Sequence, residues 1–202
     1  MRDWLPFVPL AALWLPWLAY WIFAARNVKA TRRRENFTTF LLNRAFVVVG
    51  ALLLVVWHPP LHWLNERFVP LTMAAIAAYW LGLLMVAMGL AFAVWARVFL
   101  GRNWSGTVTI KQDHELVRSG PYGVVRHPIY TGLLLALLGT AVAIGEWRGL
   151  LGFAAIGIGF LIKIRTEERF MSEIFGEKYA RYRAQVPALI PFMGGHYAAN
   201  RP

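Results

Sequence analysis

Arg126, His127, Pro128, Tyr130 and Gly132 fall within one short stretch, and Glu167 and Glu168 follow about 40 residues later. Gly120 and Pro121 read as a turn, and Pro128 suits the first position of a helix, where its missing N–H costs nothing. The free backbone N–H groups and positive dipole end of that helix start could hold an anion. His127 and Tyr130 add directional hydrogen bonds, and Gly132 leaves room for close approach. Glu167 and Glu168 stand in Arg165-Thr166-Glu167-Glu168-Arg169, which in an arbitrary sequence reads as a solvated helix face with i±3 and i±4 ion pairs. Here the pair directly follows an apolar helix, as the His127 start directly precedes one. A ligand carrying a carboxylate, an amine, a ribose diol and an aromatic base would use every one of these groups.

The elements that must position these residues are membrane helices. Of the 202 residues, 58% are hydrophobic and only 15% charged, against about a quarter charged in ordinary soluble domains. Five apolar stretches, at 4–25, 37–57, 68–99, 129–144 and 149–164, predict an all-α polytopic membrane protein with about five transmembrane helices and a cytoplasmic C-terminal helical cap. The last two stretches are short and read as one hairpin turning through Gly145-Glu146-Trp147-Arg148-Gly149. This brings the Arg126-His127-Pro128 start and the Glu167-Glu168 pair to the same end of neighbouring helices. The first stretch, with one basic residue before it, three prolines and no small-residue cleavage site, is expected to be a mature span.

Seventeen of the 21 Lys and Arg residues fall on one side of this arrangement, while Arg2, Arg67 and Arg148 fall on the other. The positive-inside rule then puts the N-terminus outside, and the loops at 26–36 and 97–128 and the tail in the cytoplasm, the topology expected in an inner or cytoplasmic membrane. The net charge of +11 is read as topology and attraction to anionic headgroups, not nucleic acid binding. Absence of cysteine removes thiol chemistry and leaves the redox compartment unread. His58 and His62 have metal-ligand spacing, but Pro59 and Pro60 break the helix between them, so no metal is expected. Phe175, Tyr179 and Tyr182 form one helical face, read as packing, and Val186, Leu189, Ile190 and Phe192 are available to press back on the bundle.

The motifs Leu116-Val117-Arg118-Ser119-Gly120-Pro121-Tyr122, Arg126-His127-Pro128-Ile129-Tyr130-Thr131-Gly132, Glu167-Glu168 and Phe175-Gly176-Glu177-Lys178-Tyr179-Ala180-Arg181-Tyr182 together closely resemble the isoprenylcysteine carboxyl methyltransferase family of integral membrane enzymes. The resemblance covers 103–192, the expected cofactor-binding half of a single domain spanning 1–202; residues 1–102 carry no motif of the family. It implies S-adenosylmethionine at the cytoplasmic ends of the last two spans, touched by His127, Tyr130 and one or both of Glu167 and Glu168. Tyr122 supplies a further aromatic face for a cationic donor, and His114, beside Asn103 and Trp104 on the preceding loop, either caps the cofactor or makes a plain loop contact. Successive helical residues point about 100° apart, so one carboxylate, Glu168, is expected to face the cofactor while Glu167 turns aside.

Methyl transfer needs alignment of the reacting atoms and exclusion of water, not a metal or a triad. A carboxylate acceptor needs a cation, for which Arg126 and Arg165 are the candidates; Arg44 is a third, though snorkelling to the cytoplasmic surface is the stronger reading for it. The expected acceptor is a lipophilic small molecule or prenylated substrate from the bilayer, with membrane lipids as surroundings. Phospholipid N-methylation and thiol S-methylation stay open, as do an NADPH-dependent sterol-type membrane reductase, which would ignore S-adenosylmethionine, and a membrane interaction protein without catalysis. No Gly-x-Gly-x-x-Gly supports a soluble Rossmann-type enzyme.

Overall fold

Each of the five apolar stretches becomes a helix: α1 Phe7–Ala24, α2 Phe37–Val55, α3 Met73–Leu100, α4 Pro128–Ile144 and α5 Trp147–Phe175, followed by α6 Glu177–Gln185. The structure is a computed structural model that describes residues 7–26, 31–34, 36–56, 61–70, 72–101, 109–111 and 116–192. Asn36 caps α2 by accepting from the Thr38 N–H, and Thr72 caps α3 by accepting from the Ala74 N–H, so α3 starts at Met73, later than its apolar stretch at residue 68. Gly145 and Gly176 end α4 and α5 in the positive-φ region that favours glycine.

Among the described residues, four helices are long and apolar enough to cross a membrane. The fifth, α4, has 17 residues, about 26 Å of rise. It is also densely buried, with ten of its residues inside the bundle, which is how a short span is shielded from lipid. The protein is thus an integral membrane protein of the polytopic all-α kind. A short antiparallel ribbon, β1 Thr31–Arg34 with β2 Thr109–Lys111, joins two of the basic loops, an addition that the sequence did not signal.

Glycines spaced by seven hold the bundle together. A Cβ on Gly89 would collide with the Gly132 carbonyl, and one on Gly82 would lie 2.5 Å from the Gly139 carbonyl; the reverse contacts are equally tight. These pairs run α3 and α4 antiparallel with their backbones in contact, as small residues allow when lipid gives no hydrophobic drive to association. Gly50 and Gly152 do the same for α2 and α5. Because α4 and α5 form a hairpin, both α2 and α4 lie against α5 and run opposite to it.

This alternation gives the bundle two distinct ends. At one, the starts of α2 and α4 meet the ends of α1, α3 and α5, and Arg97 of α3 donates to the Ala24 carbonyl at 2.7 Å and the Gly101 carbonyl at 2.6 Å. At the other, the α4–α5 turn is stitched to the segment ahead of α3 by Phe68 N–H to Gly145 O and Trp147 N–H to Glu66 O. There Arg148, 1% exposed, donates to Glu146 at 2.6 Å and to the carbonyls of Leu53, Leu54 and Val56, closing the C-terminus of α2.

Candidate functional site

The candidate site lies at the end where α4 starts and α5 leaves its apolar stretch, which stops at Ile164. His127 occupies the N-cap of α4 and is buried. Its two ring nitrogens face two carboxylates: Nε2 lies 3.2 Å from Glu168 Oε1 and Nδ1 lies 3.5 Å from Glu167 Oε2. Tyr130, three residues into α4, donates its hydroxyl to Glu167 at 2.6 Å. Arg126 clasps Glu168 Oε1 through Nε at 2.9 Å and Nη2 at 2.6 Å. Both carboxylates therefore converge on α4, where one had been expected to turn away. The imidazole presents nitrogens on opposite edges, so a single ring bridges side chains that leave the helix about 100° apart.

The approach to α4 is lined by the chain's own carbonyls, and the carboxylates meet side chains, not the backbone N–H groups of the helix start. The Arg126 N–H donates to Pro187 O and the His127 N–H to Ala188 O, so the segment after α6 is hydrogen-bonded along the approach to α4. Thr131 Oγ1 donates to Leu189 O at 2.7 Å, and Arg126 Nη1 donates to the carbonyls of Arg183 and Val186. The negative charge opposite the dipole is the protein's own, in Glu167 and Glu168.

Charge and burial compete across this cluster. Burial pulls the His127 imidazole down, but hydrogen bonds to Glu167 and Glu168 outweigh it, and the group stands above its ordinary value. Burial pushes both carboxylates up. For Glu168, His127 and Arg126 reverse this and hold it at about 2, and for Glu167, His127, Lys163 and Tyr130 hold it below the usual range. The result is a pair of carboxylates that favour their charged form, with an imidazole between them whose protonated form they favour in turn.

Other residues singled out from the sequence take no part in these hydrogen bonds, although Glu167 acts through space on the Tyr122 phenol. Tyr122 is buried against Ala96, Ile129 and Trp21, its hydroxyl 3.5 Å from the Ala96 carbonyl and its own carbonyl accepting from Tyr182 at 2.6 Å; it is a packing residue between the turn, α3 and α6. Arg165 is exposed, because it precedes Glu167 by two residues and points about 200° away from it. Arg44 is exposed beside the Phe40 ring, as a snorkelling side chain would be. Tyr179 and Tyr182 pack with Leu116, Met171 and Phe175. His114, Asn103, Trp104 and His58 fall outside the described residues. One residue missed is Lys163, whose ammonium lies 5.6 Å from the centre of the Tyr130 ring; its place four residues before Glu167 was the available signal.

Known proteins resemble this chain over the region that holds the cluster. The model of the phospholipid methyltransferase family matches residues 77–178, which include all of α4 and α5 and every residue of the cluster. Protein-S-isoprenylcysteine O-methyltransferase B of Arabidopsis thaliana is 31% identical over 115 residues, 55% of this chain and 58% of that protein. The probable protein-S-isoprenylcysteine O-methyltransferase of Oryza sativa subsp. indica is 28% identical over 169 residues, 80% of this chain and 84% of that one. Among solved structures, the eukaryotic intramembrane Ras methyltransferase, isoprenylcysteine carboxyl methyltransferase, superposes with a TM-score of 0.50 at 24% identity, over 80% of this chain and 55% of that one, a likeness of fold. The chain spans little more than half the length of the Arabidopsis relative and of the solved structure. With its motifs and the family match over half its length in agreement, the chain belongs to the phospholipid methyltransferase family.

Proposed function

We propose that the protein is a membrane methyltransferase that uses S-adenosylmethionine to methylate the carboxylate of a lipophilic acceptor, as for an isoprenylcysteine. The observation that carries this is the convergence of His127, Tyr130, Glu167 and Glu168 at the mouth of the α4–α5 hairpin. Two ionised carboxylates, an imidazole and a phenol suit the ammonium, the sulfonium and the ribose diol of such a donor. Bound there, the donor supplies an electrophilic methyl group. Arg126 is committed to Glu168 and to backbone carbonyls, so its part is to position Glu168. His127 and Tyr130 orient the donor, and the strap from Val186 to Leu189 limits access of water.

The test is binding to the detergent-solubilised protein followed by transfer of a labelled methyl group. S-adenosylmethionine is expected to bind and NADPH not to, with the label appearing as a base-labile ester on an S-farnesylcysteine. Label on the amine of phosphatidylethanolamine would favour the second reading, which the family's description supports, and NADPH binding without S-adenosylmethionine binding would replace both with a reductase.

The proposed orientation places this end in the cytoplasm. Because the chain has no cysteine, single cysteines at Arg33 and Asn65 can be labelled from one side at a time; Arg33 is expected to react from the cytoplasm and Asn65 from outside. Labelling of both from one side would overturn the topology.

A further inference from the structure

Four consecutive carbonyls after α6 are taken up by the start of α4. Val186 O accepts from Arg126 Nη1, Pro187 O from the Arg126 N–H, Ala188 O from the His127 N–H and Leu189 O from Thr131 Oγ1. An irregular segment lying in water can leave its acceptors to the solvent. One at the edge of the hydrocarbon has to find partners in protein, and Pro187 and Pro191 have no N–H to satisfy. The partners advance from Arg126 to Thr131 as the segment advances from Val186 to Leu189. It therefore runs alongside α4 in the direction in which α4 enters its apolar stretch.

The face of α4 that it reaches is the one left over by the helices. Gly132 and Gly139 lie on α3, Tyr130 and Leu134 face α5, and Thr140 accepts from Trp14 of α1. Thr131, Leu135, Leu138 and Val142 fall together on the remaining face, and all four are partly exposed. In a membrane span that face belongs to lipid. The chain turns at Pro191 and Phe192, with Phe192 at a φ of 65°, where a bulky side chain is seldom found. On this turn Ile190 is 57% and Phe192 92% exposed. Residues 186–192 carry no charge, whereas α6 just before them exposes Lys178, Arg181 and Arg183 against one acid, Glu177. An apolar tip behind a basic helix suits the boundary between anionic headgroups and acyl chains.

We infer that the tip Leu189–Phe192 is seated in the lipid leaflet at this end of the bundle, and that the seat holds the strap against α4. Acyl chains cover Ile190 and Phe192, in continuity with the lipid that covers Leu135 and Leu138. Withdrawal of the tip lifts the Pro187 and Ala188 carbonyls off the Arg126 and His127 amides and opens the cluster to water. The bilayer is thus part of the closure. The seating stands by itself; its consequence for a methyl donor rests on the methyltransferase reading.

Because the chain has no cysteine, an environment-sensitive fluorophore can be attached to a single cysteine replacing Ile190, Phe192 or Arg181. The labelled full chain is placed in nanodiscs of phosphatidylcholine and phosphatidylglycerol, with or without bromine near the top of the acyl chains. Bromine is expected to quench the label at positions 190 and 192 and to spare the one at 181, on the exposed side of α6. Quenching at 190 and 192 no stronger than at 181 overturns the seating. The double variant Ile190→Ser, Phe192→Ser then tests the hold on the strap. Hydrogen exchange of the Arg126 and His127 amides should quicken about 5- to 50-fold on loss of two apolar anchors, while exchange around Gly139 stays as in the wild type. An unchanged rate at Arg126 and His127 overturns the hold. S-adenosylmethionine affinity in nanodiscs should fall about 3- to 30-fold in the same variant. Faster exchange with unchanged S-adenosylmethionine affinity, or with no binding even in the wild type, upholds this inference and takes the donor away from the cluster instead.

Discussion

The two ends of the bundle use the same ion pair to different purposes. At the α4–α5 turn, Arg148 joins Glu146 to the last carbonyls of α2, and Arg67 lies 3.8 Å from the same carboxylate. At the other end, Arg126 joins Glu168 to the carbonyls of Arg183 and Val186. In both places an arginine ties a glutamate to backbone acceptors that a helix end or strap leaves over. Among the described residues, only the second end joins a buried imidazole, a phenol and another carboxylate to its ion pair. Those three are not required to close any helix, and this surplus of polar groups over structural need is what marks the site.

The largest effect expected from breaking this comparison is at the turn. Arg148→Met removes the buried donor shared by three carbonyls at the end of α2 and leaves Glu146 only its contact with Arg67 at 3.8 Å, and breaking such a pair typically costs about 3–5 kcal/mol. Thermal unfolding in detergent should show the loss, while donor affinity per folded molecule stays at the wild-type value. Reduced donor affinity in the folded fraction would mean that the two ends are coupled through α5.

At the site end the pattern should invert. His127→Ala and Tyr130→Phe each remove a hydrogen bond to a charged group, worth about 1.5–3 kcal/mol, or roughly 10- to 150-fold in S-adenosylmethionine affinity. Calorimetry should find that loss alongside a smaller change in unfolding temperature. Unchanged affinity in both variants would remove the donor from this cluster.

Much of this contrast is visible in the sequence, and what is hidden has a physical reason. Apolar length gives the five spans, and Pro128, Gly145 and Gly176 mark where helices start and stop. The cluster follows because a tight hairpin must bring Glu167 and Glu168 back beside His127. The glycine seams are harder: Gly82 and Gly89, like Gly132 and Gly139, announce a close-packed face, but the spacing within one helix does not name its partner. Arg97 and Arg148 enter a count of basic residues as surface charges, yet each donates to carbonyls at helix ends, a use that depends on which helix terminus lies nearby. The commitment of Arg126 to Glu168 depends likewise on the path of the chain after α6.

The pH response should distinguish stability from binding at the site. His127 stands above its ordinary value of 6.5 when folded, so its contribution to stability is fully present below about 6.5 and is lost as pH rises through the folded value. Glu168, held at about 2, contributes above its ordinary carboxylate range and loses that contribution only as pH falls toward 2. A cationic donor competes with the imidazolium proton, so donor affinity should rise over the interval in which the His127 contribution fades. Titration of both quantities should show opposite slopes, and His127→Gln should flatten both. Parallel slopes would mean that the proton and the donor do not share this space.

The smallest effect is expected from Tyr122→Phe, set against Tyr130→Phe. Both tyrosines lie in the motif region, and both were candidates for the donor, but the Tyr130 hydroxyl is 2.6 Å from Glu167 while that of Tyr122 is 3.5 Å from the Ala96 carbonyl. At that distance the Tyr122 hydrogen bond is at the edge of usefulness, and its loss should cost less than about 1 kcal/mol of stability. The bond from Tyr182 runs to the Tyr122 backbone carbonyl, which the substitution keeps, so the turn should stay anchored to α6. Donor affinity should then be indistinguishable from wild type by calorimetry. A tenfold loss would show instead that the turn rotates Tyr122 toward the cluster on binding and that the donor site extends onto the loop before α4.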